Sequence, residues 1–427
     1  MRLRNSRPFA VTHRSLNFFH LLLSLCYLLC YLNSCEALKC MFFGFPGLKY
    51  DGVDRTAELN EKTFNKTVFA KDAKSVVFFS DVEADDDELD QYECFLQLSA
   101  QFVERRGYKV FTVNTTKEVR LRNQEEVEKG EDTIHVYKDG YKIEYYGVID
   151  PDTFTSWILD IPDEPLTIIN SKFDEDEFES LENEVTRVLG YFEPGSKGLK
   201  EFEEAAEDFM GEIEFYAVVD SFWARRMGIL RLGEVHLYRP FEKDPLVAPT
   251  SADTEEEFED WVEKNHEPVM QRLSLTNYFN VWKDPEEDEK LVVAFCDEET
   301  EEGRAMYKLL KKVARMNRQY AGTLEIVLID PDEFPMMIDE WESMFGVEIE
   351  GGPVIGLVDI SEREGVWFDM AQLNLEEPKK YQTQNLEVLD SWIDQIMQGT
   401  ISLDDDDEPP PPPPPPPPAK GRRRKEL

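Results

Sequence analysis

One pattern of apolar and polar residues occurs three times along this chain, and a repeat limits the architecture before any single motif does. Each copy opens with a β-rich apolar run ending in an acidic loop, at residues 76–81, 188–193 and 292–297. Helix-patterned segments follow at 88–105, 198–210 and 303–318. A second strand comes next, at 110–114, 215–220 and 326–330, and all three stop at Asn or Asp. Further strands are expected at 134–137, 235–238 and 354–358, the first leading through Lys138-Asp139-Gly140 into a hairpin. Each copy closes with an amphipathic helix anchored by an aromatic residue, Trp157, Trp261 or Trp392, which reads as core packing. In the third copy that helix lies further downstream, so an insertion is expected in its hairpin region.

The order strand, helix, strand, helix, hairpin, helix predicts an α/β chain of three tandem thioredoxin-like domains, each a mixed central sheet flanked by helices. Proline and charge interrupt the periodicity at 162–165 and 266–268. The expected division is a signal peptide at 1–37, domains at 38–163, 164–268 and 269–402, and a disordered acidic, polyproline and basic tail at 403–427.

Arg2, Arg4, Arg7 and Arg14 precede an apolar run at 16–32, and Cys35-Glu36-Ala37 offers small residues for cleavage. This reads as a secretory signal removed after Ala37. An uncleaved membrane anchor is the alternative, which Asn17 and His20 weaken. The segment carries four arginines and one glutamate, so the rest of the chain is more acidic than the whole, at −45 against −42. Such a surface repels phosphate backbones, so nucleic acid is not an expected partner. Any ligand of it is cationic.

Thioredoxin-like folds raise disulfide exchange first, which needs a low-pKa thiolate where the first helix begins. None of the copies has a C-x-x-C pair there. Only Cys40, Cys94 and Cys296 follow the signal; one bridge can form among them, and spacing does not assign it. Asp297, Glu298 and Glu299 beside Cys296 would raise its thiol pKa. Nucleophile elbows, phosphate loops and zinc-helix signatures are absent, and His135, His236 and His266 stand far apart in sequence. No enzyme is expected.

Carboxylate oxygens are natural ligands for Ca2+. The stretch Asp81-x-Glu83-x-Asp85-Asp86 lacks the glycine and twelfth-position glutamate of an EF-hand. What remains is a series of acidic clusters, at 85–88, 174–179, 255–259, 284–289, 297–302 and 404–408. Ligands that must be ordered at each binding event hold ions weakly, so the expected behaviour is on the order of 20 Ca2+ per chain at dissociation constants of about 10⁻⁴–10⁻³ M. A solvated, solubilising surface is the bland alternative.

The motifs Tyr50-Asp51-Gly52-Val53-Asp54-Arg55, Phe202-Glu203-x-Ala205-Ala206-Glu207, Ile329-Asp330-Pro331-Asp332-x-Phe334-Pro335 and Tyr278-x-x-x-Trp282 resemble those of the calsequestrin family, with the likeness running from about Tyr50 to Leu403. The resemblance implies high-capacity, low-affinity Ca2+ storage in the lumen of the sarcoplasmic or endoplasmic reticulum. It implies homodimers, Ca2+-dependent linear polymers, and docking to the ryanodine receptor complex through triadin and junctin. Residues 41–49 would be the arm that family protomers exchange. Glu58 and Glu118 fall where the family offers two oxygen ligands to one ion. Glu257 falls on a carboxylate ligand of another, with Asp253 close by, although Thr250 stands where the family has an acid. Asp404, Asp405, Asp406, Asp407 and Glu408 match the start of the family's acidic tail. Ten prolines at 409–418 and a basic end then depart from it. Ten prolines in a row are expected to form an extended polyproline spacer. The sequons at Asn65 and Asn114 are expected to be accessible to glycosylation. A chaperone related to the disulfide isomerases but lacking their redox centre is the rival reading.

Overall fold

A computed structural model describes residues 50–80, 86–130, 132–181, 185–249, 254–283 and 289–403, with backbone alone for 86–91. The signal segment, residues 41–49, Asp253 and the tail acids Asp404, Asp405, Asp406, Asp407 and Glu408 lie outside the described residues. The chain divides into two compact units after Lys283.

The first unit holds two sheets of the same topology. In one, β1 (Thr56–Glu58), β2 (Lys74–Ser80), β3 (Tyr108–Asn114), β4 (Thr133–Lys138) and β5 (Tyr141–Tyr145) lie in the order β1-β3-β2-β4-β5. In the other, β6 (Leu166–Ile168), β7 (Arg187–Tyr191), β8 (Glu214–Val218), β9 (Val235–Tyr238) and β10 (Leu246–Val247) lie in the order β10-β9-β7-β8-β6. Both combine three parallel strands with an antiparallel pair. The third sheet repeats the plan with β11 (Met270–Arg272), β12 (Lys290–Phe295), β13 (Leu324–Ile329), β14 (Val354–Asp359) and β15 (Glu364–Trp367), in the order β11-β13-β12-β14-β15.

Central strands read as unbroken apolar runs because both of their faces are covered. On β2, Val76 and Phe78 enter one core with Phe95 and Phe154, while Val77 and Phe79 enter a second with Phe64 and Tyr137. On β7, Val188 and Leu189 divide between two cores in the same way. The expected hairpin turn is present: Asp139 and Gly140 both take positive φ, 54° and 103°, as a two-residue turn between twisted strands requires.

Each sheet also begins with a short edge strand that the repeat did not reveal. These strands have three residues each, so at most two side chains share a face. In the third copy, the insertion becomes a 3-10 turn at Met370–Gln372 and a loop before the helix Gln382–Met397. Trp392 is buried there against Phe368, with ring centroids 5.5 Å apart. Trp157 is only half-buried and rests on Tyr145.

Candidate metal centre

The third sheet places three carboxylates together. Strands β12 and β13 run parallel with Phe295 opposite Ile329, and the Cys296 N–H donates to the Ile329 carbonyl at 2.9 Å. Both chains therefore leave the sheet side by side at its carboxyl edge, where open α/β sheets offer their crevices. Asp330 follows β13 directly and caps the turn Pro331–Glu333, its Oδ1 accepting the Asp332 N–H at 3.1 Å. Asp297 lies two residues beyond β12 and accepts the Glu299 N–H at 2.7 Å. One carboxylate oxygen from each of Asp297, Asp330 and Asp332 lies within 4.8 Å of the others.

Local sequence holds this arrangement. Thr300 caps the helix Glu301–Met316 through the Gly303 N–H and donates its own hydroxyl to the Asp297 carbonyl at 2.8 Å. Arg304 Nη1 donates to the carbonyls of Glu298 and Glu299 at 2.9 and 2.6 Å. Burial, followed by the charges of Asp332, Asp297 and Glu298, pushes the Asp330 carboxyl above its ordinary range. Its bond from the Asp332 N–H works the other way without overcoming them. A divalent cation here would meet hard oxygen ligands and relieve that repulsion. Three side chains supply fewer than the 6–8 oxygens Ca2+ takes, so a bound ion would need water to complete its shell.

A second crowding of acids occurs between the helices Lys197–Asp208 and Glu255–Asn265. The Glu255 N–H donates to Glu201 across the pair at 3.1 Å. Burial and the charges of Asp208 and Glu255 push the Glu259 carboxyl up to about 7. Glu207 is raised as well, by burial and then by Glu204 and Glu255.

The positions expected from sequence are more dispersed. Glu58 is exposed at the end of β1, opposite Thr112, and Glu118 starts the helix Val119–Gln124 just past neighbouring β3. Both thus belong to one end of one sheet, and Glu118 Oε2 accepts the Glu61 N–H at 2.9 Å. Glu257 is exposed in the first turn of its helix, which Thr254 caps. Asn65 is exposed on the helix Phe64–Val68. Asn114 is not accessible as expected: it is 8% exposed, and its Oδ1 accepts the N–H groups of Thr116 and Lys117. The strand end turns back into a loop there, and the amide satisfies it.

Sequence reasoning placed acids at 297 and 330 but did not join them to Asp332. The available signal was that two neighbouring parallel strands each leave the sheet at an aspartate. Cys94 is disulfide-bonded, and Cys296 is a buried thiol. His135 and His236 are buried on β4 and β9, each beside a tyrosine hydroxyl, as members of the framework.

The sequence as a whole matches the family model for calsequestrin over residues 17–410. This chain belongs to the calsequestrin family. As a calsequestrin-family member it is a calcium-binding storage protein, of a family whose function is not enzymatic. Solved structures similar to it include human ERp44 form I, at 14% identity over 82% of this chain and 87% of that one, with a TM-score of 0.48. Human ERp44 form II matches at 15% over 81% and 89%, with a TM-score of 0.48. The bb fragment of ERp72 matches at 13% over 56% and 99%, with a TM-score of 0.40. Among the described residues, no helix is long and apolar enough to cross a membrane.

Proposed function

We propose that this chain is a high-capacity, low-affinity Ca2+ store of the sarcoplasmic or endoplasmic reticulum lumen, and that Ca2+ drives its assembly into dimers and linear polymers. The observation that carries this reading is the Asp297, Asp330 and Asp332 group, whose oxygens lie within 4.8 Å of one another. Burial, and then the neighbouring carboxylates, raise the proton affinity of Asp330, and a divalent cation is the partner that relieves the repulsion among the three. Repeated over the weaker clusters, the same effect yields many exchangeable ions rather than a few tight ones.

In this reading the domains are residues 38–163, 164–268 and 269–402, with the signal removed after Ala37. Triadin, junctin and the ryanodine receptor complex are the partners, through which the store regulates release. Ca2+ neutralises repulsion within each domain first and then bridges acidic faces of separate chains, so that assembly creates further sites.

Equilibrium dialysis together with light scattering tests the proposal. Tens of ions bound at millimolar Ca2+, with scattering that rises as they bind, is the expected result. Saturation after one or two ions without change in size would favour the chaperone reading instead.

A further inference from the structure

Spacing does not pair the three cysteines that follow the signal, but the fold does. Cys296 is a free thiol just past β12, only 1% exposed. Cys94 is disulfide-bonded and sits on the helix Asp86–Val103. On the proposed removal of residues 1–37, Cys40 is the one remaining cysteine that can be its partner.

The surroundings of Cys94 determine what such a bridge would hold. Cys94, Gln97, Leu98 and Gln101 share one face of the helix, at positions i, i+3, i+4 and i+7. Residues 50–56 lie along that face. Tyr50 packs against Cys94 and Leu98. The Asp51 N–H donates to Gln101 Oε1 at 3.0 Å and the Arg55 N–H to Gln97 Oε1 at 2.9 Å. Gln97 Nε2 donates in turn to Asp54 Oδ1 and Thr56 Oγ1, at 2.7 and 3.1 Å. A chain bonded to Cys94 at residue 40 and packed against it at residue 50 begins and ends at one place. Ten residues could extend about 35 Å, so those between have to double back. Their sequence suits a loop, since Gly44 and Pro46-Gly47 are turn formers set among Phe42, Phe43 and Phe45.

We propose that Cys94 pairs with Cys40 of the same chain, and that this bridge keeps residues 41–49 on their own helix. The arm that the family resemblance expects to pass between protomers is then a closed loop in this chain, and its three phenylalanines reach a second copy only after reduction. The chemistry is thiol–disulfide exchange. The Cys40 and Cys94 thiols give up two protons and two electrons as their Sγ–Sγ bond forms, and the disulfide of an oxidoreductase takes both up to become a dithiol. The reverse exchange opens the loop. This rests on the lumenal reading above, which supplies the oxidising partner.

Tryptic mapping of the mature full chain without reductant tests the pairing. Residues 40–49 should appear joined to residues 75–105 and separate from them on reduction, with the intact chain running as a monomer on non-reducing gels. Unlinked peptides, a bridge from Cys94 to Cys26, Cys30 or Cys35, or a covalent dimer would overturn it. Photocrosslinking reads the latch. Chains of normal and heavy isotope content, each with a photoreactive phenylalanine at position 43, are mixed in millimolar Ca2+. In oxidised chains, links within one chain should exceed those between chains by on the order of tenfold or more, because a tethered segment meets its own helix at millimolar effective concentration. Reduction before mixing, and separately Cys40→Ser, should raise the between-chain links by a similar factor. Between-chain links indifferent to the state of the bridge overturn the latch. The number of Ca2+ bound by oxidised and reduced chains should be the same, so the storage reading stands or falls separately.

Discussion

Asp297 and Asp330 leave adjacent parallel strands at the same edge of the third sheet, and their carboxylate oxygens approach within 4.8 Å. Like charges at this separation oppose folding until a proton or a cation joins them. Asp330→Asn removes one charge while keeping an oxygen to accept the Asp332 N–H. The variant should be more stable than wild type in EDTA, by on the order of 0.5 kcal/mol because solvent screens the partly exposed group. In millimolar Ca2+ the order should reverse, as wild type gains ion-linked stability that the variant lacks. Paired thermal melts read both effects. Equal shifts with and without Ca2+ would remove Asp330 from any metal site.

Gly303 determines how closely the first turn of the helix Glu301–Met316 approaches the Asp297 loop. A Cβ built there would stand 1.8 Å from the Asp297 carbonyl oxygen, a backbone atom that cannot swing away. Gly303→Ala should cost about 1–3 kcal/mol by overpacking. It should also move Asp297 away from Asp330. Denaturant unfolding checks the first effect and the Ca2+-induced rise in melting temperature the second.

The two sequons differ in exposure, and their use should differ with it. In chains translated into microsomes, Asn65→Gln should abolish a glycan-sized mobility shift. Asn114→Gln should leave the shift unchanged. It should also lower stability by about 1 kcal/mol, since Asn114 Oδ1 serves two backbone N–H groups. A second glycan lost with Asn114 would show that modification precedes burial of that strand end.

Arg55 donates to both Asp51 oxygens at 2.7 Å and to Glu104 at 2.9 Å, tying the first described residues to the 3-10 turn Glu104–Arg106 that follows the helix Asp86–Val103. The Arg55 bonds, then the Val53 N–H, hold the Asp51 carboxyl down to about 2. An unfolded aspartate titrates near 3.9, so this contribution is complete above about pH 4 and is lost as pH falls towards 2. Amide exchange at residues 51–56 should therefore accelerate below pH 4 before the cores open. Asp51→Asn should make that segment exchange rapidly at neutral pH and remove its acid step.

Sequence periodicity alone determined the central strands of the three sheets, because β2, β7 and β12 are covered on both faces and carry apolar runs at their centres. It also determined the charge, and with it the class of ligand. It could not show β1, β6 or β11, because edge strands this short have no period to read. The resemblance paired Glu58 with Glu118 as ligands of one ion, but the Asp297, Asp330 and Asp332 group depended on strand register, which brings together residues more than thirty positions apart. Burial was also decided by the fold: Asn65 and Asn114 carry equivalent sequons, yet only the tertiary chain path encloses one of them. Local sequence fixes which groups carry charge or can hydrogen-bond, whereas their mutual distance, and hence the strength of repulsion and the gain from a shared ion, exists only once the strands have paired.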